Sequence, residues 1–151
     1  GAMGLVVNIP VDMSLDAMLT QLKLAPPPSP ELKQPVLQGG PVHADRGFVL
    51  HSFRPGFNST LQVGDELMVT TSKDILETLG TEQAPDHWLV ALGYAGWSAG
   101  QLEQELVDGA WLVIPPNPDL VFKTPIHQRW QQAAASIGVN PIHLSSDIGH
   151  S

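Results

Sequence analysis

The sequence predicts an α/β (α+β) domain in which three or four short helices are dispersed among about six short strands. Three observations predict it. Some stretches repeat apolar residues at helical spacing, whereas others carry them as short continuous runs bounded by turn residues. Gly and Pro clusters punctuate the chain between those stretches. The length, 151 residues, suits one domain.

Taken in order, residues 5–8 form an apolar run that reads as a buried strand stopped by Ile9-Pro10. Ser14 stands where a helix N-cap belongs, and Leu15, Met18, Leu19 and Leu22 share one helical face behind it. Pro26-Pro27-Pro28-Ser29-Pro30 ends that helix and reads as a stiff surface connection. Residues 36–38 and 48–52 are strand candidates, separated by Gly39-Gly40-Pro41 and Asp45-Arg46-Gly47. Residues 61–63 and 67–71 are set to pair across Gly64-Asp65 as a hairpin. A helix then runs to Leu79, opened by Thr71 with Asp74 three residues on and closed by Gly80. Residues 87–92 read as a strand, 102–107 as the core of a helix, and 110–114 as another strand closed by Pro115-Pro116. Thr124-Pro125 opens the last helix, with Ile126, Trp130, Ala133, Ala134 and Ile137 on its face and Gly138 at its end. Residues 141–151 carry no strong pattern.

Composition excludes several classes of function. Cysteine is absent, which removes disulfides, thiolate metal sites and a cysteine nucleophile. Seven Lys and Arg stand against fifteen Asp and Glu, a formal charge of −8. The cations Lys23, Lys33, Arg46, Arg54, Lys73, Lys123 and Arg129 are scattered singly, so no phosphate-neutralising face is drawn and direct nucleic-acid binding is not expected. No apolar run approaches the roughly 18 residues of a membrane span, and no membrane partner is expected. With no signal peptide in view, the cytoplasm is the expected compartment.

The loudest catalytic pattern is Gly96-Trp97-Ser98-Ala99-Gly100, a G-x-S-x-G between a predicted strand and a predicted helix. Asp147 and His150 follow in the chain order of α/β-hydrolase triads. Against a nucleophile, residues 93–96 separate the strand from the turn, and 151 residues are few for the sheet such enzymes use. Ser98 with Gln101 three residues on also has the form of a capping box. Ser98 is therefore read as a helix cap, with a small serine hydrolase as the alternative. The six histidines, His43, His51, His87, His127, His143 and His150, include no i, i+4 pair and predict no metal site. Gly93, Gly96 and Gly100 match neither a dinucleotide fingerprint nor a P-loop, and no cofactor is predicted. Glu103 and Glu105 lie two apart on one helix and do not share a face, while Trp97, Trp111 and Trp130 read as core anchors.

Several segments carry a recognisable signature: the opening Gly1-Ala2-Met3-Gly4-Leu5-Val6-Val7-Asn8, Gly39-Gly40-Pro41, Asp45-Arg46-Gly47-Phe48-Val49-Leu50-His51 and Thr70-Thr71-Ser72-Lys73-Asp74. Ala91-Leu92-Gly93-Tyr94-Ala95-Gly96-Trp97, Gly100-Gln101-Leu102-Glu103-Gln104-Glu105-Leu106 and the closing Gly149-His150 complete it. In this order the segments resemble the YqgE/AlgH family of uncharacterised bacterial proteins. The resemblance implies a strongly bent mixed sheet forming an incomplete barrel with packed helices. It also implies a further N-terminal segment ahead of Gly1. It implies no reaction. The expected function is that of a binding or regulatory module acting on a protein partner or a small anionic ligand. Signature loops carry function more often than core segments do, which makes Gly39, Gly40, Arg46, His51, Tyr94 and Trp97 the candidate site residues. Arg46 is the natural anion contact there and His51 the titrating group.

Overall fold

The computed structural model describes residues 1–139. In chain order the strands are β1 (Ala2–Gly4), β2 (Pro10–Ser14), β3 (Pro35–Gln38), β4 (Val42–Ser52), β5 (Thr60–Gln62), β6 (Leu67–Thr70) and β7 (Trp88–Trp97). The α-helices are α1 (Leu15–Gln21), α2 (Lys73–Leu76), α3 (Gln101–Val107), α4 (Pro118–Lys123) and α5 (Arg129–Ser136). The strands form one mixed sheet of seven that does not close, in the order β2-β3-β7-β4-β6-β5, with β1 also paired to β7. The α/β class and the open sheet agree with the expectation from sequence.

β7 is the spine. Its apolar run pairs in parallel with β3 and antiparallel with β4, while its far end takes β1. Such a run, buried on both faces, is what an internal strand requires. Alternation along β7 sends Trp88 and Val90 to one face, where they pack with Leu15, Leu19, Leu32, Val36, Val49, Ile75 and Leu79 beneath α1 and α2. Leu89 and Ala91 face the other way and meet Leu37, covered by Val7, Val121, Phe122 and Ile126.

Several expectations are corrected. Residues 5–8 form no strand; β2 begins at Pro10 instead, because proline is tolerated at the first position of an edge strand. β7 does not stop at Leu92 but runs on to Trp97, since pairing with β1 and Val42 carries the ladder past Gly93. Residues 110–114 are neither strand nor helix: they carry a strand-like composition but pair with no strand of the sheet. α4 was not foreseen, although Asn117 caps it by accepting from the Leu120 N–H at 3.1 Å and Pro118 follows in the preferred first position. The last helix starts four residues late, at Arg129 and not Pro125, after a 3₁₀ turn over Ile126–Gln128. Ser72, not Thr71, occupies the N-cap of α2.

Candidate ligand-binding site

The predicted helical stripe of α1 is only partly absorbed by the core. Leu15, Met18 and Leu19 are buried, but Leu22, one turn further, stays exposed. Together with Met13, Met18, Leu76 and Leu92 it walls a cleft of about 350 Å³ between α1, α2 and the start of β4. The rim is polar: Gln21, Asp45, Arg46, Thr71 and Lys73. Neither Arg46 nor Lys73 forms an ion pair among the described residues, whose salt bridges are Lys33–Asp16 and Lys123–Asp119. With the Arg46 guanidinium turned toward the cleft, the rim holds two cations against one carboxylate, on a chain of charge −8. Two thioethers in the wall supply an adaptable apolar surface.

Of the six residues singled out from sequence, Arg46 borders this cleft, and the others stand elsewhere. The Arg46 guanidinium carbon lies 5.9 Å from the Phe48 ring centroid, a cation–π distance. Phe48 alternates with Val49, which faces the α1 side, so Arg46 borders the cleft while its charge rests toward the opposite face. Tyr94 meets Phe48 edge-on at 5.5 Å and His43 at 5.9 Å. Trp97 pairs edge-to-face with Trp111 at 5.9 Å.

Gly39 and Gly40 do a structural job. They press the 39–41 turn against β7: the Gly39 N–H donates to Leu92 O at 2.8 Å. A Cβ at Gly39 would sit 2.3 Å from Gly93 O, and one at Gly40 2.1 Å from the Tyr94 carbonyl carbon. Gly93 answers from β7 with φ +74°, where a Cβ would stand 2.2 Å from Gly40 O. Only hydrogen fits on either side of this contact.

His51 is fully buried at the end of β4. Its Nδ1–H donates to Ser52 O at 2.8 Å, which fixes the tautomer and leaves Nε2 to accept from Thr70 Oγ1–H at 2.7 Å. Thr70 Oγ1 lies 2.8 Å from Thr60 Oγ1, so one hydrogen-bond chain ties β4, β6 and β5 together. Burial pushes the His51 pKa below its ordinary value, against a smaller opposing effect from the Ser52 carbonyl.

Around Ser98 the chain passes directly from β7 through Ser98-Ala99-Gly100 into α3, so the separation expected between strand and turn is absent. The expected cap is corrected as well. Gly100 occupies the N-cap with φ +80°, and Ser98 Oγ caps no helical N–H. Instead Gln101 Oε1 reaches back to accept from the Ser98 N–H at 3.0 Å and from its Oγ–H at 3.2 Å. The capping box thus keeps its glutamine half and loses its serine half. Asp147 and His150 lie outside the described residues.

With this geometry in hand, comparison with known proteins is informative. The model of the AlgH-like family matches residues 1–142. This chain belongs to that family. A UPF0301 protein of Vibrio cholerae is 51% identical to the AlgH-like chain over 154 residues, covering 99% of the chain and 82% of the relative. A UPF0301 protein of Aliivibrio fischeri is 56% identical over 155 residues, with the same coverage. The solution structure of the AlgH protein from Pseudomonas aeruginosa superposes with a TM-score of 0.77 at 46% identity, over 99% of this chain and 79% of that one. A crystal structure from Corynebacterium diphtheriae, with a TM-score of 0.61 at 16% identity over 86% of this chain and 69% of that one, shares the fold.

Sequence reasoning missed Lys73 and the thioether wall of the AlgH-like site. The available signal was the position of Leu22, the outermost residue of a stripe longer than a seven-residue helix can bury. Among the described residues no group of three or more His, Asp or Glu converges as a metal site, and no helix is long and apolar enough to cross a membrane.

Proposed function

We propose that this AlgH-like chain is a regulatory binding module for a small amphiphilic anion, seated in the cleft between α1 and α2. One observation carries the reading: an apolar wall of Met13, Met18, Leu22, Leu76 and Leu92 beneath a rim whose two cations have no carboxylate partner among the described residues. An apolar pocket with a few convergent polar groups is the usual form of a small-molecule site. The wall takes an acyl or aromatic body, and the rim takes a carboxylate or phosphate. Lys73 on the first turn of α2 is the leading anion contact, and Arg46 becomes the second by swinging its guanidinium off Phe48.

Titration calorimetry with octanoate, octyl phosphate and octanol tests this. The two anions bind and the alcohol binds at least tenfold more weakly, a difference of about 1.4 kcal/mol. Lys73→Ala weakens the anions at least tenfold and Arg46→Ala less, both with little change in melting temperature. Equal binding of octanol, or anion binding indifferent to Lys73→Ala, refutes the proposal.

A further inference from the structure

A second unexplained surface lies at α3 and the segment that follows it. α3 buries none of its residues. The chain then turns at Gly109 and brings Trp111 back, so that its Nε1–H donates to Glu105 Oε1 at 3.2 Å and its ring meets Trp97 edge-on. The second oxygen of that carboxylate, Oε2, is sheltered from solvent and has no hydrogen-bond partner among the described residues. Next to Trp111 in the chain, the aliphatic side chains of Leu112 and Val113 are left largely in solvent, 49% and 69% exposed.

Charge says what kind of partner fits. Between Lys73 and Lys123 the chain has no Lys or Arg. Glu103, Glu105 and Asp108 on α3 and its C-cap therefore have no cation of their own nearby in sequence, whereas Asp119 is answered by Lys123 at 3.2 Å. A carboxylate already withdrawn from water pairs with an incoming guanidinium at a smaller desolvation penalty than an exposed one, and the guanidinium fork can use the oxygen that now bonds to nothing. Indole faces are the preferred aromatic surface for the same cation. Admitting it means breaking one 3.2 Å hydrogen bond and one aromatic contact, both made by Trp111, which stands in irregular chain.

We propose that this face is a docking site for a basic, apolar segment of a partner protein, in which an arginine pairs with Glu105 between Trp97 and Trp111 and flanking aliphatic residues cover Leu112 and Val113. Acidic side chains beside exposed aliphatic and half-buried tryptophan side chains match such a segment in both charge and polarity, as interface cores with aromatic anchors do. The site is independent of the α1–α2 cleft, so either can fail alone.

The test uses the full chain with ¹⁵N-labelled tryptophan and the probe peptide acetyl-Ala-Leu-Arg-Leu-Ala-amide, against the same peptide with Glu in place of Arg. The arginine peptide shifts the indole N–H signals of Trp97 and Trp111 saturably, and the glutamate peptide binds at least tenfold more weakly. Glu105→Gln, whose amide oxygen can still accept from Trp111, weakens the arginine peptide at least fivefold without lowering the melting temperature. Val113→Ser weakens it at least twofold and serves as an independent variant. Unmoved indole signals, equal binding of the two peptides, or indifference to both substitutions overturns the proposal. So does a free protein that already covers Trp111, whether by a second copy, seen as a concentration-dependent dimer, or by residues 140–151, seen as contacts to its indole.

Discussion

The chain up to Trp97 and the chain after it follow the same local rules with opposite results. Among the described residues sixteen apolar side chains are buried in the core; fifteen lie before Ser98 and one, Ala134, after it. Before Ser98 nearly every apolar stripe finds a facing one: α1 lies on β3 and β7, and β7 is flanked on both sides. After it, three helices, of which α4 alone has a side-chain N-cap, lie against the structure through few buried side chains. Arg129 is the main polar tie, buried with its Nε–H donating to Thr124 O at 3.0 Å and its Nη1–H to Val7 O. The lesson is that local signals decide which elements form, while burial of a matching face decides how much each contributes to stability.

Two glycines with nearly the same backbone conformation provide the sharpest way to break this comparison. Gly93 has φ +74° and Gly109 has φ +76°. A Cβ at Gly93 would meet Gly40 O at 2.2 Å, and one at Gly109 would meet nothing within 4 Å. Gly93→Ala therefore adds overpacking to left-handed strain and destabilises by about 4 kcal/mol or abolishes folding. Gly109→Ala carries the strain alone, about 1–2 kcal/mol. Urea denaturation of the two variants reads the difference. Equal losses would mean that the 39–41 turn yields and that the two regions are equally tolerant.

Leucines make the same contrast with a smaller effect. Leu19 in α1 is fully buried, and Leu106 in α3 is exposed. Leu19→Ala should lower stability by about 3 kcal/mol through lost burial and the cavity left behind. Leu106→Ala should stay within about 0.5 kcal/mol. A loss above about 1.5 kcal/mol at Leu106, on the same scale, would place α3 in a core and remove the surface argued to receive a partner.

How far the sequence was legible follows the same divide. α1, the β5–β6 hairpin and the strand around residues 48–52 were readable because each combines a periodic apolar pattern with a turn signal at its end. Residues 110–114 misled because Ala-Trp-Leu-Val-Ile has the composition of a strand, and composition carries no information about whether a sheet edge is available. Gly39 and Gly40 stood out from sequence for a physical reason, but that reason is close approach to β7. The Lys73 rim was illegible because it joins residues from β2, α1, β4, α2 and β7, and no local pattern encodes that meeting.

A pH-dependent loss separates the regions next. His51 belongs to the packed half, and its folded pKa lies below the ordinary 6.5 because of burial. The neutral form is favoured in the fold, so its stabilising contribution is complete above about pH 6.5 and is lost as pH falls below it toward the depressed folded value. One unit below 6.5 the loss is at most about 1.4 kcal/mol. Melting temperature should thus decline between pH 7.5 and 5.5, and His51→Gln should flatten that decline while lowering stability overall. An unchanged slope in the variant would assign the effect to other groups.

The smallest effect is expected at Ser98, on the boundary between the two regions. Its hydroxyl is exposed and donates only to Gln101 Oε1 at 3.2 Å, while the same oxygen receives the Ser98 backbone N–H at 3.0 Å. Ser98→Ala removes the weaker of two bonds to one acceptor and should change stability by less than about 0.5 kcal/mol. Gln101→Ala removes the acceptor itself and leaves a backbone N–H to water, so it should cost more, about 0.5–1 kcal/mol. A serine acting as the helix cap would reverse that order, because its loss would strip the helix end of its own acceptor. A serine acting as a nucleophile would leave both stabilities nearly alone and show itself by chemistry, as stoichiometric labelling by a fluorophosphonate. The geometry predicts no labelling, since the partner of the hydroxyl is a side-chain amide oxygen, which has no basicity to draw the proton away.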